Sequence, residues 1–294
     1  MWEIRLFGFE WFYLFYHFFL YSFFGWIYES CLVSFQKRKL VNRGFLNGPV
    51  IPIYGAGATV IMMVLDPIRE HYVAVFFVGM LVASVLEFVT SWLMEKLFHT
   101  RWWDYSDWKC NLQGRICLGA SLFWGVLSVT MELVLKPGMD LLIADIPRRA
   151  GEVVGYGIAA VFLADFIVTV ISTVQFDKKL AELQRIRAEL LDYLAKHKLT
   201  DITGGLVGEW RSRLAGLLDT GEWEETVKNI FSGSETGEKW IEAWKGIFSR
   251  YQHKLEKANL IQRRLLGAFP NMKSIGKEEA LEDWKKKLHR KKEG

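Results

Sequence analysis

The sequence has little of the chemistry that marks most soluble enzymes. Only three cysteines and six histidines occur in 294 residues, and they form no CxxC or HxxxH pattern. Three cysteines are too few for a disulfide framework, and the scattered histidines lack the spacing of a zinc site. No GxxxxGKS/T motif is present, so we predict no ATP hydrolysis by a P-loop in this chain. We expect no cofactor and no metal, and the composition argues against a catalytic role.

Long apolar runs are what the chain has instead. Hydrophobic residues make up 51% of the sequence and aromatic residues 15%. A membrane span needs about 20 mostly apolar residues, and four runs reach this length, at roughly 11–33, 72–98, 113–135 and 152–175. A fifth run, roughly 49–65, is shorter and broken at its start. We predict an all-α, polytopic integral membrane helix bundle with about five transmembrane segments.

Charge divides the chain into two regions. Up to Phe176 there are 13 Lys and Arg against 14 Asp and Glu, and the remainder has 24 against 19. We predict a transmembrane domain over 1–176 and a cytoplasmic, helical, basic C-terminal region over 177–294. Leucine and isoleucine at three- and four-residue steps after Phe176 predict an amphipathic helix that continues the last span. Shorter helices are predicted at roughly 206–219, 222–231, 238–266 and 277–290.

The loops between the spans differ in positive charge, which sets membrane orientation. Lys and Arg are concentrated in loops 36–43 and 99–115 and in the tail, whereas loop 66–71 holds only Arg69 beside two acids. We therefore predict a multi-pass plasma-membrane protein with its N-terminus outside and its C-terminus cytoplasmic. Loop 136–151 fits less well, because three basic residues would lie outside. The basic tail is expected to meet anionic lipid rather than nucleic acid.

Polar residues recur on one face of each of several predicted spans, as the inside of a helix bundle requires. The stripes are Ser22, Gly25 and Glu29; Ser84, Glu87, Ser91 and Glu95; Ser121, Gly125, Ser128 and Glu132; and Asp165, Thr169 and Ser172. Glycine and serine suit close helix packing. Carboxylates within a span are expensive to insert and are candidates for function. Glu87 and Asp165 lie near mid-span, where either a functional or a structural role stays open.

The stretch NRGFLNGPVIPIYGAGA, residues 42–58, precedes and begins the fifth run. Pro49 and Pro52 lack an N–H donor, and Gly55 and Gly57 permit unusual backbone angles, so residues 47–57 are a poor start for a regular helix. Irregular backbone at membrane depth persists only when it is buried in protein or lines a polar cavity. Transporters use such broken helices to bind substrates. An interfacial loop followed by an ordinary helix is the alternative.

Five segments of the chain, taken together and in this order, carry a resemblance to a known protein family. They are FFGWIYES (23–30), NRGFLNGPVIPIYGAGA (42–58), LEFVTSWLMEKLF (86–98), WWDYSDWKCNLQGRICLGASLFWG (102–125) and the tail motif RRLLGAFPNMKS (263–274). Over roughly 15–175 and this tail motif, the sequence resembles a bacterial membrane-protein family of ABC-transporter permeases (type IV, CmpB-like). The resemblance implies a transport role, but family and fold do not fix a substrate.

The polar stripes, the loops and the resemblance together indicate a substrate- or ion-binding set. In this hypothesis the carboxylates bind or relay charge, and the arginines pair with them or gate the site. No catalytic and no metal-ligating residue is predicted. The set is Glu29, Asn42, Arg43, Pro52, Tyr54, Gly55, Glu87, Ser91, Glu95, Trp103, Asp104, Tyr105, Asn111 and Arg115.

The leading functional prediction is a permease subunit that moves a small polar solute or ion through an intramembrane polar site. Its expected partners are membrane lipids and a separate ATPase or other cytoplasmic subunit, with a homo-oligomer left open. Two alternatives stay open. One is a non-catalytic membrane scaffold or sensor that docks a partner through its tail. The other is a lipid-modifying membrane enzyme that uses Glu87, Asp104 and Tyr105 as acid/base groups, with Arg115 on phosphate.

Overall fold

A computed structural model describes residues 2–198, 237–257 and 259–293. The chain divides into two compact units. The first comprises Met1–Val174 with Arg264–Lys273, and the second comprises Gln175–Arg263 with Ser274–Gly294. The helices predicted at 206–219 and 222–231 lie outside the described residues.

Helices joined by short strands and turns make up the described chain, so the all-α prediction is confirmed. The elements up to the long loop after α3 are β1 (Arg5–Leu6), β2 (Phe9–Glu10), α1 (Trp11–Lys37), α2 (Pro52–Leu65), a 3-10 turn (Asp66–Ile68), α3 (Tyr72–Phe98) and β3 (Thr100–Arg101). Next come β4 (Asn111–Leu112), β5 (Ile116–Cys117), α4 (Leu118–Thr130), a π-helical turn (Met131–Leu135) and α5 (Lys136–Ala144). The last are α6 (Arg148–Lys198), α7 (Gly237–Glu256), α8 (Leu260–Ala268), β6 (Lys273–Ser274) and α9 (Glu278–Glu293).

Four helical stretches of the described residues are long and apolar enough to cross a membrane: Trp11–Lys37, Tyr72–Phe98, Leu118–Ala144 and Arg148–Tyr193. They correspond to the four longer runs of the sequence. The chain is an integral membrane protein with an all-α bundle. The fifth run forms a shorter apolar helix with its following turn, Pro52–Ile68.

The segment before α2 runs back along α1 without forming a helix. The backbone N–H of Val41 donates to the Ser34 hydroxyl at 2.9 Å, and the N–H of Ile51 donates to the Ser22 carbonyl at 2.9 Å. Twelve residues of α1 separate these two contacts, which is about 18 Å of helix. Irregular backbone before Pro52 therefore runs beside a candidate membrane-spanning helix, while residues 52–57, which were expected to be a poor start for a helix, begin α2.

Helix α2 continues in the same direction until it reaches the opposite end of the bundle. There Leu65 is buried in an apolar cluster with Leu14 of α1, Val75 of α3 and Met131 after α4. The segment 38–65 therefore covers most of the height of α1, half of it as irregular chain and half as helix. This supports five passages through the membrane rather than a re-entrant loop, and the number of passages stays a prediction.

The stripe of small residues on α1 is the surface on which α2 packs. A Cβ added at Gly55 would lie 2.2 Å from the Ser22 Oγ and 2.3 Å from the Phe18 carbonyl oxygen. A Cβ added at Gly25 would lie 2.4 Å from the Tyr54 Cγ. Both glycines are required because the two helices approach too closely for a side chain.

The second unit buries the apolar face of the amphipathic part of α6. Leu180, Leu183 and Leu190 are fully buried there, which confirms the predicted periodicity. The stretch predicted as one helix over 238–266 forms two, α7 and α8. The side chains of Asn259 and Gln262 each accept the other's backbone N–H, at 2.8 and 3.2 Å. This reciprocal capping box starts a new helix at Leu260.

Candidate functional site

A cavity of about 440 Å³ lies among α1, α2, α3, α4 and the loop after α3. Its volume falls in the range of small-molecule sites. Most of its lining is aliphatic or aromatic, with few charged groups. Of the predicted set it contains Glu29, Arg43, Tyr54, Glu87, Trp103 and Tyr105.

Glu87 projects from α3 into this cavity and is 6% exposed. Its Oε1 accepts a hydrogen bond from the Tyr105 hydroxyl at 3.1 Å, and its Oε2 accepts one from the Trp124 Nε1 at 2.8 Å. Both donors are neutral. Within the described ranges no Lys or Arg forms an ion pair with this carboxylate. Glu87 therefore has hydrogen-bond partners and no counter-charge.

Glu29 of α1 lies at the end of the cavity nearest the irregular segment. Its Oε1 accepts a hydrogen bond from the Tyr54 hydroxyl at 2.9 Å, and its Oε2 lies 3.7 Å from the Nε of Arg43. The Tyr54 ring also packs edge-on to Trp124, with centroids 6.0 Å apart. The ring that bonds to Glu29 (Tyr54) therefore contacts the ring that bonds to Glu87 (Trp124).

Tyr105 reaches the cavity from the loop after α3. Burial raises the pKa of its hydroxyl, and the neighbouring Glu87 carboxylate raises it further. The hydroxyl therefore stays protonated at neutral pH and acts as a hydrogen-bond donor. The acidic and basic lining groups are two carboxyls, Glu29 and Glu87, and one guanidinium, Arg43, so acidic groups outnumber basic ones in the lining.

Glu95, Ser91 and Arg115 lie outside the cavity and form a separate cluster near the end of α3. The Arg115 Nη2 lies 3.0 Å from the Glu95 Oε1, and the Arg101 Nε lies 2.6 Å from its Oε2. The Ser91 hydroxyl accepts a long hydrogen bond of 3.5 Å from Arg115. Each charge in this cluster has a partner, which is the arrangement of a structural ion pair.

Asn42, Pro52 and Gly55 shape the backbone and do not line the cavity. The Asn42 Oδ1 accepts hydrogen bonds from the Trp26 Nε1 at 2.8 Å and from the Gly44 N–H at 3.0 Å. Pro52 is the first residue of α2, where its missing N–H costs nothing. These three residues fix the course of the irregular segment and its transition to helix.

Asp104 and Asn111 hold the loop between α3 and α4. Asp104 accepts hydrogen bonds from the Ser106 N–H at 2.9 Å and from the Lys273 Nζ at 2.6 Å. Burial opposes its charge, but these bonds prevail and lower the pKa of Asp104 to about 2. The Asn111 side chain bonds to the Trp108 carbonyl at 2.8 Å and to the Gly114 N–H at 3.0 Å. Neither residue lies in the cavity lining.

Asp165, the other carboxylate predicted near mid-span, binds the irregular segment. Its oxygens accept hydrogen bonds from the backbone N–H groups of Asn47 at 3.1 Å and Gly48 at 2.7 Å. The Asn47 amide adds a third bond at 2.8 Å. Asp165 thus satisfies N–H groups that a regular helix would have paired internally, so its role is structural.

Comparison with known proteins places this site in a family. The model of the family described as "Putative ABC-transporter type IV" matches residues 16–170. The chain belongs to this family. The match spans every cavity-lining residue. No curated protein and no solved structure matches the chain.

The tail motif, residues 263–274, lies outside the stretch that the type IV transporter family model covers. Arg264 donates to the carbonyls of Gly44 and Phe45, both at 2.6 Å. The Arg43 guanidinium lies 4.1 Å from the centroid of the Phe269 ring. The motif therefore holds the irregular segment in place. More than 200 residues separate the partners, so no local pattern in the sequence indicates these contacts.

Sequence reasoning missed two further features of this family member. Trp124, the second donor to Glu87, lies between Ser121 and Ser128 on α4 and was overlooked because a tryptophan in a span is ordinary. His17 of α1 is fully buried, with its Nε2 2.9 Å from the Asp140 Oδ1. Its ring lies 5.6 Å from the ring of Tyr21, which lines the cavity. The available signal in the sequence was the spacing of Tyr13, His17 and Tyr21, which lie four residues apart and therefore share one face of α1.

Proposed function

We propose that the chain is the membrane subunit of a transporter that moves a small polar solute or ion, with the cavity as the transit site. The observation that carries the proposal is the Glu87 carboxylate, buried in a cavity of ligand size and held only by neutral donors. Glu95 and Asp165 show how this bundle satisfies a structural carboxylate. Glu95 and Asp165 are only partly buried, whereas Glu87 is 6% exposed and has no charged partner among the described residues, and such groups mark transport pathways.

Polar groups continue from the cavity toward both ends of the bundle, as a transport path requires. Toward one end, Glu29 and Arg43 form an ion pair at 3.7 Å. Toward the other end, Tyr21 leads to the His17–Asp140 pair. The irregular segment 38–51 lies between the cavity and α6, where a shift of non-helical chain breaks no helical hydrogen bonds.

Arg43 is the proposed inner gate. It contacts Glu29 on the cavity side and the Phe269 ring on the other, so its release would open the cavity. In the proposed orientation this end faces the cytoplasm, and the protein lies in the plasma membrane with its basic tail inside. Without a P-loop in this chain, energy from ATP requires a separate ATPase subunit.

The Glu87→Gln variant tests the proposal because it removes the charge and preserves the size of the side chain. Purified protein in proteoliposomes would be exposed to concentration jumps of small cations and amino acids, with currents recorded on a solid-supported membrane. We expect about a tenfold or greater loss of flux, with unchanged insertion and monodispersity.

Glu70→Gln is the matched control. This carboxylate is exposed in the loop between α2 and α3, so the same loss of charge should leave flux unchanged. Wild-type flux in the Glu87→Gln variant would contradict the proposed role of the cavity.

A further inference from the structure

We propose that the ligand of the cavity is an organic cation of the quaternary-ammonium class, which reaches the cavity from the bilayer. This names a substrate class for the site described above. Its transport, though not its binding, rests on the proposed function. Charge, aromatic lining, an unpaired hydroxyl and the position of the opening each support this assignment.

The charge of the lining favours a cation. Glu29 and Glu87 oppose a single guanidinium, Arg43, which already lies beside Glu29. Glu87 has no counter-ion among the described residues. A bound cation would favour the ionised form of Glu87, and in a poorly solvated cavity the attraction between the two is much stronger than in water.

The aromatic lining favours an organic cation over a metal ion. Tyr105 and Trp124 bond to the Glu87 carboxylate, and the Tyr54 ring packs against Trp124 at an angle of 65°. Aromatic faces attract quaternary ammonium groups, and such cages are a common way of recognising them. Inorganic cations instead require a shell of oxygen ligands to replace their water, and among the described residues no group of three or more His, Cys, Asp or Glu could hold a metal ion.

Tyr21 provides an independent indication of a polar ligand. It is 6% exposed and lines the cavity. Its hydroxyl is buried and has no hydrogen-bond partner within the described part of the chain. A buried hydroxyl without a partner is destabilising, and a hydroxyl or carbonyl group on one substituent of the quaternary ammonium would satisfy it.

The cavity opens sideways, between α1 and α4. Three lining residues, Phe24 and Tyr28 of α1 and Phe123 of α4, are 42%, 48% and 44% exposed. Apolar residues exposed on a membrane helix face lipid rather than water. A cation with apolar substituents collects at the bilayer interface with those substituents in the hydrocarbon, and can enter through this opening more readily than a strongly hydrated solute.

Equilibrium binding of radiolabelled benzyltrimethylammonium to the full-length protein in nanodiscs, with empty nanodiscs subtracted, tests the inference. We expect saturable binding that its neutral carbon analogue, neopentylbenzene, does not displace. Glu87→Gln should weaken binding about tenfold or more, and Glu70→Gln should not. Tyr54→Phe retains the ring and should bind within about threefold of wild type, whereas Tyr54→Leu should lose about tenfold.

Two results would overturn the assignment: the absence of saturable binding to the wild-type protein, or equal affinity in Tyr54→Phe and Tyr54→Leu when both elute as folded protein. Flux of another solute without binding of the probe would reject the cation and keep the permease. Binding of the probe without flux of any solute would keep the cation site and reject the permease.

Discussion

Glu87 and Glu95 lie on the same helix, two turns apart, and have opposite surroundings. Eight residues of α3 separate them, about 12 Å of helix. Glu95 lies between two guanidinium groups, at 2.6 and 3.0 Å. Glu87 is bound by a phenol and an indole, and faces a cavity. Two glutamates in one stripe thus have different roles. The side chains that the neighbouring loop and helix place beside each carboxylate decide which role it has.

Asp165 completes this comparison. Like Glu95 it is fully satisfied, but by backbone N–H groups of the irregular segment rather than by arginine. Of these three carboxylates Glu87 alone is buried, while Glu95 and Asp165 are partly exposed. The informative combination is a buried carboxylate that lines a cavity and has no charged partner among the described residues.

Replacing Arg115 with Met should produce the largest loss of unfolding free energy among substitutions in the ion-paired cluster around Glu95. Arg115 is 6% exposed, and its removal leaves Glu95 with Arg101 alone. Loss of hydrogen bonds to a charged group costs about 1.5–3 kcal/mol, since Glu95 keeps Arg101 as a partner. Equilibrium unfolding in mixed micelles measures this loss.

Arg69→Met is the control, because Arg69 forms an exposed pair with Asp66 at 3.5 Å and should cost less than about 0.5 kcal/mol. Equal losses of unfolding free energy in the two variants would show that the ion pairs of Glu95 stabilise the fold no more than an exposed ion pair does.

Gly55→Ala should destabilise the protein by about 2–3 kcal/mol, because the added methyl would overlap a backbone carbonyl of α1. Gly57→Ala is the control, because it makes the same substitution in the same helix. A Cβ at Gly57 meets nothing within 4 Å, and Gly57 lines the cavity. The same unfolding assay should find Gly57→Ala close to wild type. Similar losses would contradict the assignment of one face of α2 to packing and the other to the cavity.

The Asp104–Lys273 contact should produce a smaller, pH-dependent effect. The pKa of Asp104 falls from its ordinary value of 3.8 to about 2 in the folded protein. Its contribution to stability is therefore complete above about pH 4 and is lost as the pH falls toward 2. Wild type should be more stable than Asp104→Asn at pH 5, and this difference should shrink as the pH falls to about 2 and vanish below it. A difference independent of pH would show that the ionised carboxylate is not what holds the loop.

The sequence predicted the helices and their inward faces because each stripe is a property of a single helix. Ser22, Gly25 and Glu29 all contact α2 or its preceding segment, and Ser84 bonds to Ser121 across α3 and α4 at 2.8 Å. The non-helical chain before Pro52 was predicted as well, but the expectation that residues 47–57 are a poor start for a helix is wrong for 52–57, which form the first turns of α2.

The division of the candidate set into cavity and ion pairs was not predictable from the sequence. It depends on distances between segments that periodicity does not describe. Tyr105 and Arg115 lie in the same loop, but one turns toward Glu87 and the other toward Glu95. The contribution of Arg264 is still more remote, since its partners lie more than 200 residues earlier.

Two-sided access to the cavity is the most direct test of the central claim, that this cavity is a transit site. Ala58 lines the cavity and is buried, so a single cysteine there, on a background without native cysteines, reports access. A membrane-impermeant methanethiosulfonate reagent would be applied to right-side-out and inside-out vesicles. Val85→Cys is the control, because Val85 of α3 is 52% exposed on the apolar surface and should be labelled from neither side. We expect Ala58→Cys to be labelled from both sides, and labelling from one side or from neither would contradict the account.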